Sequence, residues 1–320
     1  MVKVMLGIIS VTLIWGYTWV AMKVGIHDIP PLLFSALRLF IGAFPLFLIL
    51  FIKRKKLSMG KEHIKSYIFM SLLMGLGYMG ILTYGMQFVD SGKTSVLVYT
   101  MPIFVTVISH FTLNEKMNVY KTIGLISGFF GLLFIFGKEM LNVDQSALFG
   151  ELCVLAAALS WGIANVFSKL QFKHIDIIHM NAWHLLMGAI MLLVFSFILE
   201  PVYSAEWTYQ AVWSLLFNGL LSTGFTFVVW FWVLNQIEAS KASMALMFVP
   251  VLALFFGWLQ LHEQITMNII IGALMICCGI FMNTFTFSRQ KGCWPRMTGD
   301  GYYESVFQVL DGRLLHNEKS

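Results

Sequence analysis

Arg38 stands about seven residues into an apolar run that begins near Pro31 and ends at Ile52, roughly 10 Å from its start at 1.5 Å per residue. An arginine in the middle of a membrane costs about 2.5–3.5 kcal/mol on insertion scales and normally faces a partner or water. It either lines a pathway and binds an anionic group such as a carboxylate, snorkels to the outer surface, or pairs with backbone carbonyls and fixes packing. His184 is the residue of the second half that corresponds to it. It could titrate near neutral pH or serve as a structural hydrogen-bonder. Trp15, Trp161, Tyr78 and Tyr99 lie in neighbouring apolar runs. Such rings make walls for amphipathic or aromatic organic solutes, and the same residue types form belts at membrane interfaces. Asn165, Ser95 and Ser243 offer polar contacts inside apolar runs, either for a solute or for helix-to-helix hydrogen bonds worth about 0.6 kcal/mol each. Pro102 and Pro250 fall mid-run, where a proline removes a backbone hydrogen bond and bends the helix. They form a candidate hinge pair or two static kinks. Glu115 and Glu263 end the same two runs as gates or loop anchors.

Other chemistries are excluded. Gly92-Lys93-Thr94 resembles the end of a phosphate loop, but Gln87 stands where the loop requires its first glycine. His262-Glu263 has no second histidine at the zinc-protease spacing, and no GxSxG stretch occurs. The cysteines, Cys153, Cys277, Cys278 and Cys293, show no CxxC spacing and read as small apolar fillers. No metal site and no cofactor is expected. A net charge of +5 does not point to nucleic acid. Acids and histidines are scattered over both faces, which argues against an embedded enzyme.

The elements that position these residues follow from composition. Only 12% of the residues are charged and 58% are hydrophobic, with a mean hydropathy of +0.79. A soluble domain carries roughly 25% charged residues, so lipid must be the solvent for much of this surface. In lipid every backbone polar group must be paired within the protein, which leaves helices or a closed barrel, and the runs are long and apolar on all faces. Charge-free runs predict ten spanning helices: Val4–Met22, Pro31–Ile52, Ser66–Val89, Thr94–Asn114 and Thr122–Gly137, then Leu148–Ser168, Ile177–Leu199, Ala211–Asn235, Ala242–His262 and Ile265–Ser288. A retained first helix is preferred to a cleaved leader, since no small-x-small site follows it.

Lysine and arginine in the loops set the orientation. With the N-terminus inside, fourteen fall on the inner side, six of them between Lys53 and Lys65, and three on the outer side, Lys23, Lys93 and Lys138. Both termini are therefore expected inside. Residues 292–320, with charges and no long apolar run, read as a cytoplasmic tail.

An internal repeat divides the chain. A shift of 146 residues sets Trp15, Gly16, Val20 and Lys23 on Trp161, Gly162, Val166 and Lys169. A shift of 148 sets Lys93, Ser95, Pro102 and Glu115 on Lys241, Ser243, Pro250 and Glu263. Residues 1–137 form the first repeat, 138–147 a linker, and 148–291 the second. Five helices is an odd number, so the second repeat enters the membrane from the opposite side. Such inverted repeats suit alternating access to a central site. Gly124 and Gly128 in the fifth helix form a close-packing spacing.

With Trp15-Gly16, Arg38-Leu39-Phe40, Lys93-Thr94-Ser95, Pro102 and Asn114-Glu115-Lys116, and the second copies Trp161-Gly162, Lys241-Ala242-Ser243, Pro250 and His262-Glu263, the chain resembles the drug/metabolite transporter superfamily and, within it, the EamA family. The resemblance covers about residues 4–288. It implies a secondary transporter in the cytoplasmic membrane that exports small metabolites or amino acids, with helices one, three, four, six, eight and nine around the path. By the same resemblance Trp15 and Trp161 belong to that path. The small multidrug branch of the superfamily carries a glutamate in its first helix for proton exchange. This first helix has none, which puts carboxylate-driven antiport in doubt. Glu151, near the outer end of the sixth helix, is the nearest acid, and proton coupling through His184 stays open. So do a membrane enzyme, a channel or sensor, and a monomeric or homodimeric state.

Overall fold

The structure is a computed structural model describing residues 2–55, 57–113, 119–142, 145–237, 239, 242, 246 and 248–284. Most of the described residues are helical, and none of them forms a strand. Among the described residues, seven helices are long and apolar enough to cross a membrane. They are α1 (Val2–Asp28), α2 (Pro31–Ile52), α3 (Lys61–Gly85), α4 (Ser91–Thr112), α6 (Gln145–Gln171), α7 (Ile177–Leu199) and α8 (Tyr209–Gln236). Three further helices are α5 (Val119–Asn142), α9 (Val249–Leu261) and α10 (Met267–Thr284), whose apolar described stretches are shorter. Large apolar side chains such as Phe44, Phe51, Phe111, Phe197 and Ile198 face outward, as a surface in contact with lipid requires.

The packing pairs each part of the first matched half with a part of the second. Helix α2 lies along α7, and α5 along α10. Helix α1 runs antiparallel to α8, with Gly7 against Val233, Trp15 against Ser222 and Ala21 against Ser214. In the same way α6 runs antiparallel to α3, with Gly150 against Gly85, Ser160 against Leu73 and Phe172 against Tyr67. Glycines permit two further crossings, of α2 with α8 and of α3 with α7. A Cβ on Gly42 of α2 would stand 2.9 Å from the Gly219 carbonyl oxygen of α8, and one on Gly75 of α3 would stand 2.7 Å from the Gly188 Cα of α7. Real Cβ contacts are not that short, so both crossings are glycine-dependent.

Two features depart from uniform helices. The middles of α3 and α8 are π-helical over Leu72–Gly80 and Phe217–Phe225. These segments are equal in length and are glycine-rich. A π turn widens the helix and shifts the facing of the residues beyond it, and such turns collect at functional sites. The fourth run also breaks. A helix over Ser91–Val98 ends at a turn, and Met101–Thr112 begins a new one with Pro102 in its first turn. There the missing N–H is one that helix starts leave unpaired anyway. Pro102 thus opens a helix rather than kinking one, and Pro250 likewise sits in the first turn of α9.

Helix ends extend beyond the charge-free runs. Helix α1 continues past Lys23 to Asp28, because the Lys23 ammonium is bound inside the protein, as described below. Helix also persists through Lys138–Asn142 and resumes at Gln145, so most of the segment read as a linker is helical.

Candidate functional site

Helix α2 places Arg38 in the interior, where the residue is only 2% exposed. It does not snorkel, and its contacts are to side chains rather than to backbone carbonyls. Its Nε donates to Thr223 Oγ1 at 2.7 Å, and one terminal nitrogen donates to Ser222 Oγ at 3.1 Å. The other lies 2.9 Å from the Met22 thioether sulfur, a weak acceptor. Thr223 and Ser222 belong to the π segment of α8. No carboxylate pairs with this guanidinium among the described residues. A buried charge is normally paired or its cost is large. Here two hydroxyls and a sulfur share it.

Aromatic rings close around the same space. Trp15 of α1 and Trp161 of α6, corresponding residues in the two halves, meet edge to face with centroids 5.4 Å apart. Trp161 stacks on Tyr78 at 4.8 Å and meets Tyr99 edge-on at 6.0 Å. Trp230 is tilted against both tryptophans, and its Nε1 donates to Asn165 Oδ1 at 3.0 Å. Trp15 Nε1 donates to the Ser222 carbonyl at 3.0 Å. Contacts of this kind are worth about 0.5–1.5 kcal/mol per ring pair beyond burial, so the cluster is a stiff frame.

Trp15, Thr18, Trp19, Met22, Arg38, Tyr78, Leu82, Tyr99 and Phe227 line the remaining void. Its free volume is about 10 Å³, on the order of one water, whereas sites for organic ligands span roughly 300–1,000 Å³. The site is therefore closed, and any organic solute requires these helices to move apart.

Of the residues singled out from sequence, Trp15, Arg38, Tyr78 and Tyr99 line this void, and Trp161 and Asn165 hold its frame. His184 does not line it. The ring is 1% exposed, bonds Asn181 Oδ1 at 3.1 Å, and lies behind Phe227 with centroids 6.4 Å apart. Ser95 is fully buried in α4, and its hydroxyl has no partner among the described residues. Ser243, Lys241 and Glu115 lie outside the described residues. Thr18, Trp19, Met22, Leu82, Phe227, Ser222 and Thr223 complete the site. Threonine, serine and methionine in an apolar helix carry no signal of their own. The spacing of Trp15, Thr18, Trp19 and Met22 on one face of α1 was the available clue.

The two ends of the bundle are closed by lysines on carbonyls. Lys23 Nζ donates to the Met86 and Val89 carbonyls at 2.6 and 2.7 Å. Its counterpart Lys169 donates to the Ile237 carbonyl, and Ile237 corresponds to Val89 at the 148-residue shift. Because α3 and α6 are antiparallel, these contacts lie at opposite ends. At the Lys23 end, the Glu263 carboxylate accepts from the Ser91 and Gly92 amides at 2.7 and 2.9 Å. It thereby holds the start of α4, where a negative charge meets the positive end of the helix. The buried Lys93 and Glu151 form an ion pair at the same end. Asp90, in the loop before α4, is held above the usual carboxylate pKa first by partial withdrawal from water and then by Glu263. Lys23 and Lys93 oppose that rise.

Comparison with known proteins places these features in context. The EamA-like transporter family matches residues 2–137 and again 148–285. The chain is 92% identical over 291 residues to a Bacillus subtilis (strain 168) protein described as "Uncharacterized transporter YoaV", covering 91% of this chain and all of that one. It is 27% identical to an Escherichia coli (strain K12) protein named "Probable amino-acid metabolite efflux pump", covering 88% of this chain and 94% of that one. A crystal structure with 16% sequence identity superposes with a TM-score of 0.69 over 89% of this chain and 98% of the other, which shows a shared fold.

Proposed function

The chain belongs to the EamA-like transporter family, and on that premise we propose that it is a secondary carrier moving small organic metabolites or amino acids by alternating access. The proposed unit has ten spanning helices in two inverted five-helix repeats, residues 1–137 and 148–291, joined through 138–147. Both termini and the tail 292–320 lie in the cytoplasm of a cell whose cytoplasmic membrane holds the protein. The antiparallel pairs α1 with α8 and α6 with α3 support the inversion, as does the matched lysine-to-carbonyl contact at each end.

One observation carries the reading: the closed void where the two halves meet, lined by a buried arginine and by aromatic rings from both. A carrier needs a site that neither face reaches in its closed state. Rocking of the halves about the Trp15–Trp161 contact would open the Lys23 end or the Lys169 end in turn. The breaks before Pro102 and Pro250 are the proposed hinges. Export is favoured by the name of the Escherichia coli relative, an efflux pump.

The test is counterflow. Purified protein in liposomes is loaded with an unlabelled amino-acid and metabolite panel, and labelled uptake is followed against empty vesicles. Saturable exchange of any compound supports a carrier. Flux that never saturates and shows no exchange stimulation contradicts it and indicates a channel.

A further inference from the structure

We propose that the central site takes an organic carboxylate with a flat apolar body and no ammonium group beside the carboxylate, so that it selects organic anions over zwitterionic amino acids. The inference rests on the carrier reading for its physiological meaning, but it concerns what the site binds.

The void is rich in donors and poor in acceptors. Arg38 brings a permanent positive charge with five N–H groups, opposed by no carboxylate among the described residues. Trp19 lines the void, and its Nε1 is buried with no partner among the described residues. Tyr78 and Tyr99 add hydroxyls at the same surface. A carboxylate, with two oxygens and about four lone-pair sites, is the group that suits such a set of donors. Bidentate pairing with a guanidinium is the strongest form of that contact.

An α-ammonium group would meet the opposite situation. It sits about two bonds from the carboxylate carbon and would be carried close to the guanidinium. Among the described lining residues the only acceptors are hydroxyl oxygens and the Met22 sulfur. Burying an ammonium without a charged partner is costly, and like charges a few ångströms apart repel. Aromatic faces attract cations in other sites, but an ammonium drawn to these rings would still stand beside the Arg38 charge. Trp15, Trp19 and Phe227 are left to sandwich an apolar ring.

The test uses a pair of compounds that differ in this one group, phenylalanine and phenylpropionate, the same skeleton without the ammonium. Phenethylamine and phenylpropionamide complete the set. Binding is read from quenching of tryptophan fluorescence in detergent, and transport from counterflow in liposomes. Phenylpropionate is expected to bind at least about tenfold more tightly than the other three, a difference of about 1.4 kcal/mol. Phenylalanine binding as well or better overturns the inference while leaving a carrier of amino acids. Tight phenylpropionate binding without exchange supports the inference and contradicts the carrier reading. Binding of none of the four overturns the inference. A charge-swap variant tests the cause. Met22→Glu places a carboxylate on Arg38 inside the site, and its folded state is checked by its elution profile. The preference is then expected to move towards phenylalanine or phenethylamine. An unchanged preference in the folded variant overturns the inference.

Discussion

Arg38 and His184 stand at corresponding positions on α2 and α7, two helices that lie side by side, yet their surroundings have little in common. Arg38 reaches across to the π segment of α8 and presents charge to the central void. His184 turns to Asn181 on its own helix and is covered by Phe227 and Phe231. Around them the scaffold is repeated closely, from the glycine crossings to the π segments and the lysines on Val89 and Ile237. Glu151 departs from the pattern in the same way, since its counterpart at the 146-residue shift is Met5. The lesson is a division of labour. Repeated features build the frame, and on the proposed reading the unrepeated ones decide what it holds.

The comparison can be broken most severely at the glycines. Gly42→Leu would drive a side chain into the Gly219 carbonyl. Overpacking costs about 1–3 kcal/mol and more where backbone is struck, so folded protein should be lost on size exclusion. Gly188→Leu, at the matching crossing, should fail likewise. Survival of one of the pair would end the argument for a repeated frame.

Next in size is the unrepeated charge. Arg38→Gln should weaken exchange or binding of an anionic solute by about 10- to 100-fold, the scale of a lost hydrogen bond to a charged group. His184→Gln should leave it within about threefold, a change under about 1 kcal/mol. Equal losses in the two variants would remove the distinction drawn between them.

The lysines sharpen the comparison further. Lys23→Met should raise the reactivity of engineered cysteines towards reagent added at the Lys23 end by about tenfold, and Lys169→Met should do so at the other end, if each contact is worth about 1.4 kcal/mol. Opening at the same end in both would contradict the pairing.

The smallest effect is at Asp90. An acid held above its usual pKa binds its proton more tightly in the folded state than in the unfolded one. The stability it brings is complete below the unfolded value near 3.8 and is lost as pH rises through the folded value. Thermal midpoints should therefore fall slightly less with rising pH in Asp90→Asn than in the parent. Asp90 keeps much of its surface in water despite its partial withdrawal, so solvent screening keeps this small.

Much of the frame was legible because membranes enforce it. Charge-free runs located the helices, and the run Ile177–Leu199 matched α7 to the residue. Repeated Trp-Gly, Lys and Pro pairs exposed the two halves. Helix ends were misread where a charge is satisfied inside the protein. Lys23 lies within α1 because carbonyls at the end of α3 receive it. The π segments left no trace in hydropathy, since Gly75, Gly77 and Gly80 look like ordinary small residues for close packing. Their effect is on facing, which brings Ser222 and Thr223 to Arg38, and facing is not written in composition. Arg38, Trp15, Tyr78 and Tyr99 were visible as costly or amphipathic residues in apolar runs. Thr18, Met22 and Leu82 matter only through the side chains that they happen to face.

On the proposed mechanism the void around Arg38 opens to each side of the membrane in turn. Thr18 lines the void and is buried, so a Thr18→Cys variant on a cysteine-free background reports its access. Oriented vesicles are treated with a membrane-impermeant thiol reagent from one side or from the other. Labelling is expected from both sides, each slowed by a transported solute. Labelling from one side alone, in protein that still exchanges solute, would contradict it.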